Sequence, residues 1–379
     1  MIQLILSLDY ELFGNGAGDV MRDVIHPTDR LLDICDRHGA KLTIMFEVGE
    51  YWAFERYDEQ LRQELGYSPY EAMKTQAIDA IERGHDVQLH LHPQWIGAVH
   101  DRGAWELRNA YWRLADLPGG LGTKDQTTSI TGALHAGKQT LEDMIRPVKA
   151  DYECICFRAG GFYAQPSHEV IPAMKKAGLK ADSSVVRGYR RTTPFDVDYS
   201  NVQTDNGLWW TTDVELVAEG APGEHILELP VACRMEPYWN NFKPVAFRAA
   251  MQRRRMEKAS GNGKAHGNGS RISCIPSMAT FLRRMTAKYA SQLDYCKLSC
   301  REMLKRLQEL DGSGENPVVM IGHTKDFIND RHFAAFLAAV SRSENVRCVT
   351  MSESVRERVT SAEASRTSQT VDAGHRASQ

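Results

Sequence analysis

A chain of 379 residues with a formal net charge of −3 is long enough for a large α/β domain, and it carries no basic field of the kind that nucleic acid or an anionic membrane demands. No apolar run reaches bilayer length, and the opening MIQLILSLDYELF lacks a basic start and turns acidic at once, so neither a transmembrane segment nor an export signal is expected. Eight scattered cysteines without CxxC spacing point to reduced thiols in a cytoplasmic protein rather than to a secreted disulfide framework.

Ile2 to Leu8 is a nearly continuous apolar run, the pattern of a strand covered on both faces, and it ends in Asp9-Tyr10-Glu11. A glycine-rich loop follows, then Pro27 opens a helix that closes at Gly39. Lys41 to Val48 is a second strand, and a helix over Pro69 to Arg83 stops at Gly84. The next stretch runs His85-Asp86-Val87-Gln88-Leu89-His90-Leu91-His92-Pro93. Read as a strand, it places Val87, Leu89 and Leu91 on one face and Gln88, His90 and His92 on the other. Pro93 cannot donate to a sheet ladder, so both imidazoles fall near the carboxyl end of this strand.

Beyond it the spacing predicts a helix around Trp105 to Leu114, a loop at Pro118-Gly119-Gly120 and a helix over Gly137 to Ile145. A strand at Glu153 to Phe157 ends in Arg158-Ala159-Gly160-Gly161, a helix begins at Pro166, and an extended segment runs from Leu179 to Asp182. From Val185 to Cys233 aromatic and β-branched clusters predict further strands. A basic, glycine-rich and flexible insertion is expected at about 248–272. Cys300 to Leu310 reads as a helix. Val318 to Ile321 reads as a buried strand ending in Gly322-His323-Thr324, followed by a helix over Phe333 to Val340 and a strand at Val346 to Met351. Residues 359–379 have few apolar anchors and are expected to be disordered, which leaves a single domain over 1–358.

Repeated βα units imply a mainly parallel sheet, open or closed into a barrel, whose functional groups gather at the carboxyl ends of the strands. Those ends deliver Asp9 and Glu11, Glu47, His90 and His92, Arg158, Asp182 and His323. Two imidazoles and a carboxylate give a divalent ion three ligands and leave positions open, the arrangement of a catalytic site. Glu11 is the candidate third ligand beside His90 and His92. Asp9, with its charge held by Arg158, is the candidate base, and His323 the candidate acid. Gly160 and Gly161 permit close backbone approach, and the Gly161 amide is a candidate oxyanion donor. Trp95, Tyr163, Trp209 and Trp210 are candidates either to stack on a sugar or to serve as wall.

This set resembles the polysaccharide deacetylase superfamily of metal-dependent N-deacetylases, over about Ile2 to Val349. Asp9 matches the family's first aspartate, its base. The metal-binding acid usually comes next, where this chain has Tyr10; members with Asp-x-Glu point to Glu11. Gly84 to His90 is similar to the motif carrying the first metal histidine. The second normally lies four residues on, where this chain has Gln94, so that His92 departs from the family spacing and either it or another residue completes the set. Phe157 to Gly161 resembles the arginine motif, Asp182-Ser183-Ser184 the following aspartate motif, in which Asp182 tunes His323 or Arg158, and Ile321-Gly322-His323 the motif of the acid histidine.

The resemblance implies a deformed (β/α)7-type barrel with inserted loops and a disordered C-terminal tail. It also implies an N-acetylated sugar as substrate, free, nucleotide-linked or lipid-linked, in surface-polysaccharide or lipopolysaccharide biosynthesis. The cofactor is then a divalent ion, zinc first, with cobalt, nickel or manganese compatible with the same donors. Two alternatives stay open on sequence alone: a C–N hydrolase of cyclic amides or ureides, and a non-catalytic glycan-binding or scaffolding barrel.

Overall fold

The chain enters a parallel sheet immediately. In the computed structural model, which describes residues 1–193, 196–202, 207–223, 225–242, 244–245, 247–248, 251, 286–314 and 316–376, β1 spans Ile2–Tyr10 and is followed by α1 (His26–Arg37) and β2 (Leu42–Glu47). Two short helices, α2 (Val48–Arg56) and α3 (Asp58–Leu65), precede α4 (Pro69–Glu82), which Ser68 caps through its hydroxyl; β3 (Asp86–Leu91) comes next. A hairpin of β4 (Val99–Asp101) and β5 (Ala104–Glu106) leads to α5 (Ile130–Ile145), β6 (Cys156–Ala159), α6 (Ser167–Ala177) and β7 (Ala181–Asp182). The hairpin β8 (Arg190–Arg191) with β9 (Val197–Asp198) follows, then β10 (Trp209–Trp210), β11 (Leu227–Glu228) and the pair β12 (Cys233–Pro237) and β13 (Lys288–Gln292). The chain finishes with α7 (Cys300–Ser313), β14 (Val318–His323), α8 (Asp330–Val340), β15 (Val346–Cys348) and α9 (Met351–Arg376).

Nine strands form the main sheet, in the order β10-β11-β7-β6-β3-β2-β1-β14, with β15 also on β1; apart from the β10–β11 pair, every ladder is parallel. The sheet curls, so that a bridge between Val231 and Val319 joins the segment after β11 to β14 at the opposite edge. The expected seven-stranded barrel is therefore corrected to an open half-barrel. Its edges meet through isolated bridges, Val231 with Val319 and Asp294 with Ile321, and not through a continuous ladder. The segments on the closing side are short and interrupted, as at Pro230, which has no backbone N–H to give to a ladder.

Side-chain alternation sorts the two faces. Leu4, Leu6 and Leu8 of β1 and Val87, Leu89 and Leu91 of β3 pack against the helices, together with Leu31, Met73 and Leu134. Ile5, Met45, Ala181, Leu227 and Val319 form a smaller apolar cluster on the other face, closed by Met351 and Val355 of α9. Along β1 that inner face runs Ile5, Ser7, Asp9, so it turns from apolar to ionisable toward the carboxyl end.

The helix expected around Trp105 to Leu114 is absent. Trp105 instead sits in the β4–β5 hairpin and packs against Phe54, Tyr57, Trp95 and His100, so aromatic burial overrides the local pattern. The stretch after 359, expected to be disordered, is helical to Arg376. The reason is that α9 is nucleated from within the domain: Thr350 Oγ1 accepts from the Glu353 amide while Glu353 accepts from the Thr350 amide, and extending a formed helix costs little per residue. Of the expected insertion at 248–272, all but Arg248 and Met251 lies outside the described residues. Among the described residues no helix is long and apolar enough to cross a membrane.

Candidate metal centre

Strand register brings the ionisable ends together. Asp9 of β1 is directly opposite His323 of β14, Glu47 of β2 opposite His90 of β3, and His90 opposite Arg158 of β6. Glu11 follows one residue beyond β1 and His92 one residue beyond β3, each on the same alternation as the residue two before it. All are buried except His323, whose side chain is 17% accessible.

Four of these groups, Glu11, Glu47, His90 and His92, each offer a ligand atom, and the four atoms lie within 4.8 Å of one another. Glu11 Oε2 is 2.5 Å from His92 Nε2 and 3.4 Å from His90 Nε2, while its Oε1 is held by Lys325 Nζ at 2.7 Å. His90 Nδ1 lies 2.8 Å from the Arg158 carbonyl, which can only accept. That fixes the proton on Nδ1 and turns Nε2 toward Glu11, the outer-shell arrangement typical of a metal-ligating histidine. Gly160 is needed for this packing. A Cβ there would stand 2.4 Å from the His92 ring, so the ring rests on bare backbone. The close approach expected at this glycine pair thus serves a protein side chain, while Gly161, at φ +60°, makes the turn after β6.

Glu47, which the strand-end rule names but to which the sequence gives no role, has a double task. Its Oε1 caps α2 by accepting from the Gly49 amide at 2.8 Å, and its Oε2 accepts from the His92 amide at 2.8 Å. Lys325 is the other residue that sequence reasoning passed over, and it could only be found by knowing that β14 lies beside β1; Gln94 was noticed beside the histidines but given no role, and its side-chain amide lies 3.0 Å from His92 Nδ1.

The second half of the site joins Asp9, Arg158 and His323. Asp9 Oδ1 is 2.5 Å from Arg158 Nη1, and the guanidinium is further tied to Ser7 Oγ, Ser183 Oγ and the Ser183 carbonyl. Asp9 Oδ2 is 3.5 Å from His323 Nε2. Burial alone would raise Asp9, but Arg158, His90 and His323 outweigh it and hold the carboxyl below its ordinary value. Glu11 is likewise buried, yet Lys325 and His92 hold it well below the usual range. Burial and its charged neighbours oppose each other at His90 too, and Asp9, Glu11 and Glu47 push it up to about 9. Burial lowers His323, against the pull of Asp9, which makes its protonated form a stronger acid. Burial raises Glu47, opposed by His92 and His90.

Asp182 stands apart from this group. It is opposite Phe157, one residue deeper in the sheet, and accepts from the Ser184 amide at 3.0 Å and hydroxyl at 2.8 Å. Burial raises both it and its neighbour Glu228, with which it shares a hydrogen bond. It bears on Arg158 by its charge and through the loop it shapes, in which the adjacent Ser183 accepts from the guanidinium. Of the candidate sugar-stacking aromatics, Trp95, Tyr163 and Trp209 are core residues, 2%, 2% and 1% exposed, and Trp210 is half-buried.

No family model and no curated protein matches the chain. Among solved structures it is similar to a crystal structure described as a "putative polysaccharide deacetylase" from Mycobacterium smegmatis, at 13% identity and a TM-score of 0.47, covering 95% of this chain and 91% of that one. A likeness of that degree assigns neither family nor activity.

Proposed function

We propose that the chain is a divalent-metal-dependent hydrolase that removes the acetyl group from an N-acetylamino sugar. The observation that carries this reading is the juxtaposition of two buried units: a Glu11–His90–His92 donor set with outward tautomer control, and an Asp9–Arg158 pair within 3.5 Å of His323. The donors fit a cation. The Nε2 atoms of His90 and His92 are buried and converge on one carboxylate oxygen of Glu11, at 3.4 and 2.5 Å. Two imidazoles with carboxylate suit zinc, and also cobalt, nickel or manganese.

When bound, such an ion supplies Lewis acidity toward an amide oxygen and toward water. The protein's own groups do the rest. Asp9, kept ionised by Arg158, takes the proton of the attacking water. His323 delivers a proton to the leaving amine, and its 3.5 Å separation from Asp9 allows the proton to return between the two. Arg158, fully buried and bonded four ways, orients Asp9 and does not touch substrate. Asp182 acts one step further back, by setting the Ser183–Ser184 loop on which Arg158 rests.

The resemblance carried by His90-Leu91-His92-Pro93-Gln94-Trp95 and Gly322-His323-Thr324-Lys325-Asp326-Phe327 implies a substrate among nucleotide- or lipid-linked precursors of a surface polysaccharide, and the scattered thiols suit a reducing compartment. The test is acetate release from N-acetylated sugars by the zinc-loaded protein and by Asp9→Asn. The variant is expected to retain zinc and lose about 10²–10⁴-fold in kcat, the usual worth of a general base. Undiminished acetate release by this variant would remove Asp9 from the mechanism.

A further inference from the structure

His92 is held on three sides. Its amide is fixed by Glu47, its ring lies on the Gly160 backbone, and its Nε2 faces Glu11 at 2.5 Å. The ring therefore has little freedom to turn, and what stays free is the position of its proton. That position is governed at Nδ1, where the neighbour is not a carbonyl, as at His90, but the side-chain amide of Gln94 at 3.0 Å. Gln94 is fully buried, and its other amide atom, Oε1, has no hydrogen-bond partner.

An amide differs from a carbonyl in offering a donor or an acceptor, depending on which way it is turned. With its NH2 toward Nδ1, Gln94 donates, the ring proton sits on Nε2, and Nε2–H donates to Glu11. With its oxygen toward Nδ1, Gln94 accepts, the proton sits on Nδ1, and the Nε2 lone pair is free beside Glu11 and His90. Between the two forms one proton leaves Nε2 to solvent and one is gained at Nδ1.

We infer that Gln94 is the positioning residue that decides whether His92 is a metal ligand, by turning its amide as the ion binds. The inference rests on the metal-centre reading above. His90 is permanently set as a ligand by the Arg158 carbonyl. His92 is set only when Gln94 presents its oxygen, so the ion-free cluster closes on itself through the His92–Glu11 contact and opens on loading. A residue at the position of the family's second histidine thereby acts on the metal through the imidazole two residues before it.

The experiment uses the full chain labelled with ¹⁵N-histidine, with zinc chloride titrated against a competing chelator. In the wild type, the His92 ring nitrogens are expected to report Nε2–H without zinc and Nδ1–H with it. Gln94→Met keeps the volume and removes both hydrogen-bonding options. It is expected to bind zinc about 10–100-fold more weakly, the usual cost of losing an outer-shell partner. The same His92 tautomer with and without zinc overturns the inference, and so does wild-type zinc affinity in Gln94→Met. The tautomer measurement needs no variant, so it decides the matter even if Gln94→Met folds poorly. His90→Ala separates the two levels. If it loses zinc while Gln94→Met does not, only the role of Gln94 falls. If the wild type itself takes no zinc, the metal-centre reading falls and this inference with it.

Discussion

His85, five residues before His90, shows how a single buried imidazole makes stability depend on pH. Its Nδ1 accepts from the Leu42 amide at 3.1 Å, so the proton must sit on Nε2, which faces Asp36 at 3.1 Å. Burial pushes the group down to about 4, against the pull of Asp36 and helped by the charges of Lys41 and Arg83. The unfolded chain, with histidine near 6.5, binds more protons than the folded one between those two values. Stability is therefore present above about 6.5 and falls as pH drops toward 4, by up to about 3 kcal/mol. In urea titrations across this window, His85→Asn, whose side-chain oxygen can still accept from Leu42, should show a shallower loss than the wild type; parallel curves would assign the acid sensitivity elsewhere. The candidate site was legible at this scale wherever a residue ended an apolar strand: Asp9, Glu11, His90, Arg158 and His323 could be named from position alone. The tasks of Glu47 and Lys325 could not be named, because each depends on a neighbour brought in by tertiary register, as when Lys325 reaches Glu11 across 314 residues of sequence; that of Gln94 depends on the turn after β3, which brings its amide back to His92.

At the scale of elements, β3 carries the most information, since its alternation puts Gln88, His90 and His92 inward and Val87, Leu89 and Leu91 against the helices. Gln88 uses its inward side chain structurally, accepting from the Ile155 and Cys156 amides and so locking β6 beside β3. The last helix is the element that the sequence concealed. Serine, threonine and arginine dominate its length, yet its first turns seal the inner cluster. Met351 and Val355 are fully buried, the Met351 amide donates to Thr43 Oγ1, and the Ser352 amide donates to Asp86. A chain ended after Ser361 should keep its urea midpoint within the equivalent of about 0.5 kcal/mol, since among residues 362–364 the cut removes one half-buried alanine and two exposed residues. One ended after Thr350 forfeits two buried side chains, about 1.5–3 kcal/mol each, and is expected to be several kcal/mol less stable. Equal stability of the two truncations would contradict the sealing role.

Across the whole molecule, one gradient organises the half-barrel. Its inner face is apolar where α9 closes it and ionisable at the carboxyl ends of β1, β2, β3, β6 and β14. Parallel strands brought these ends to one side, and the curl of the sheet brought His323 and Arg158 to opposite sides of Asp9. Helices and parallel strands followed from sequence because their periodicity is local. The opening between β11 and β14 did not, because a sheet closes or fails to close through pairings that no local pattern encodes. The central claim is that this convergence holds a divalent cation. Crystals soaked in zinc and measured at its absorption edge test it most directly. One anomalous peak is expected, about 2.0–2.2 Å from a Glu11 oxygen and from the Nε2 atoms of His90 and His92; zinc bound elsewhere, with these three side chains still in contact with one another, would contradict it.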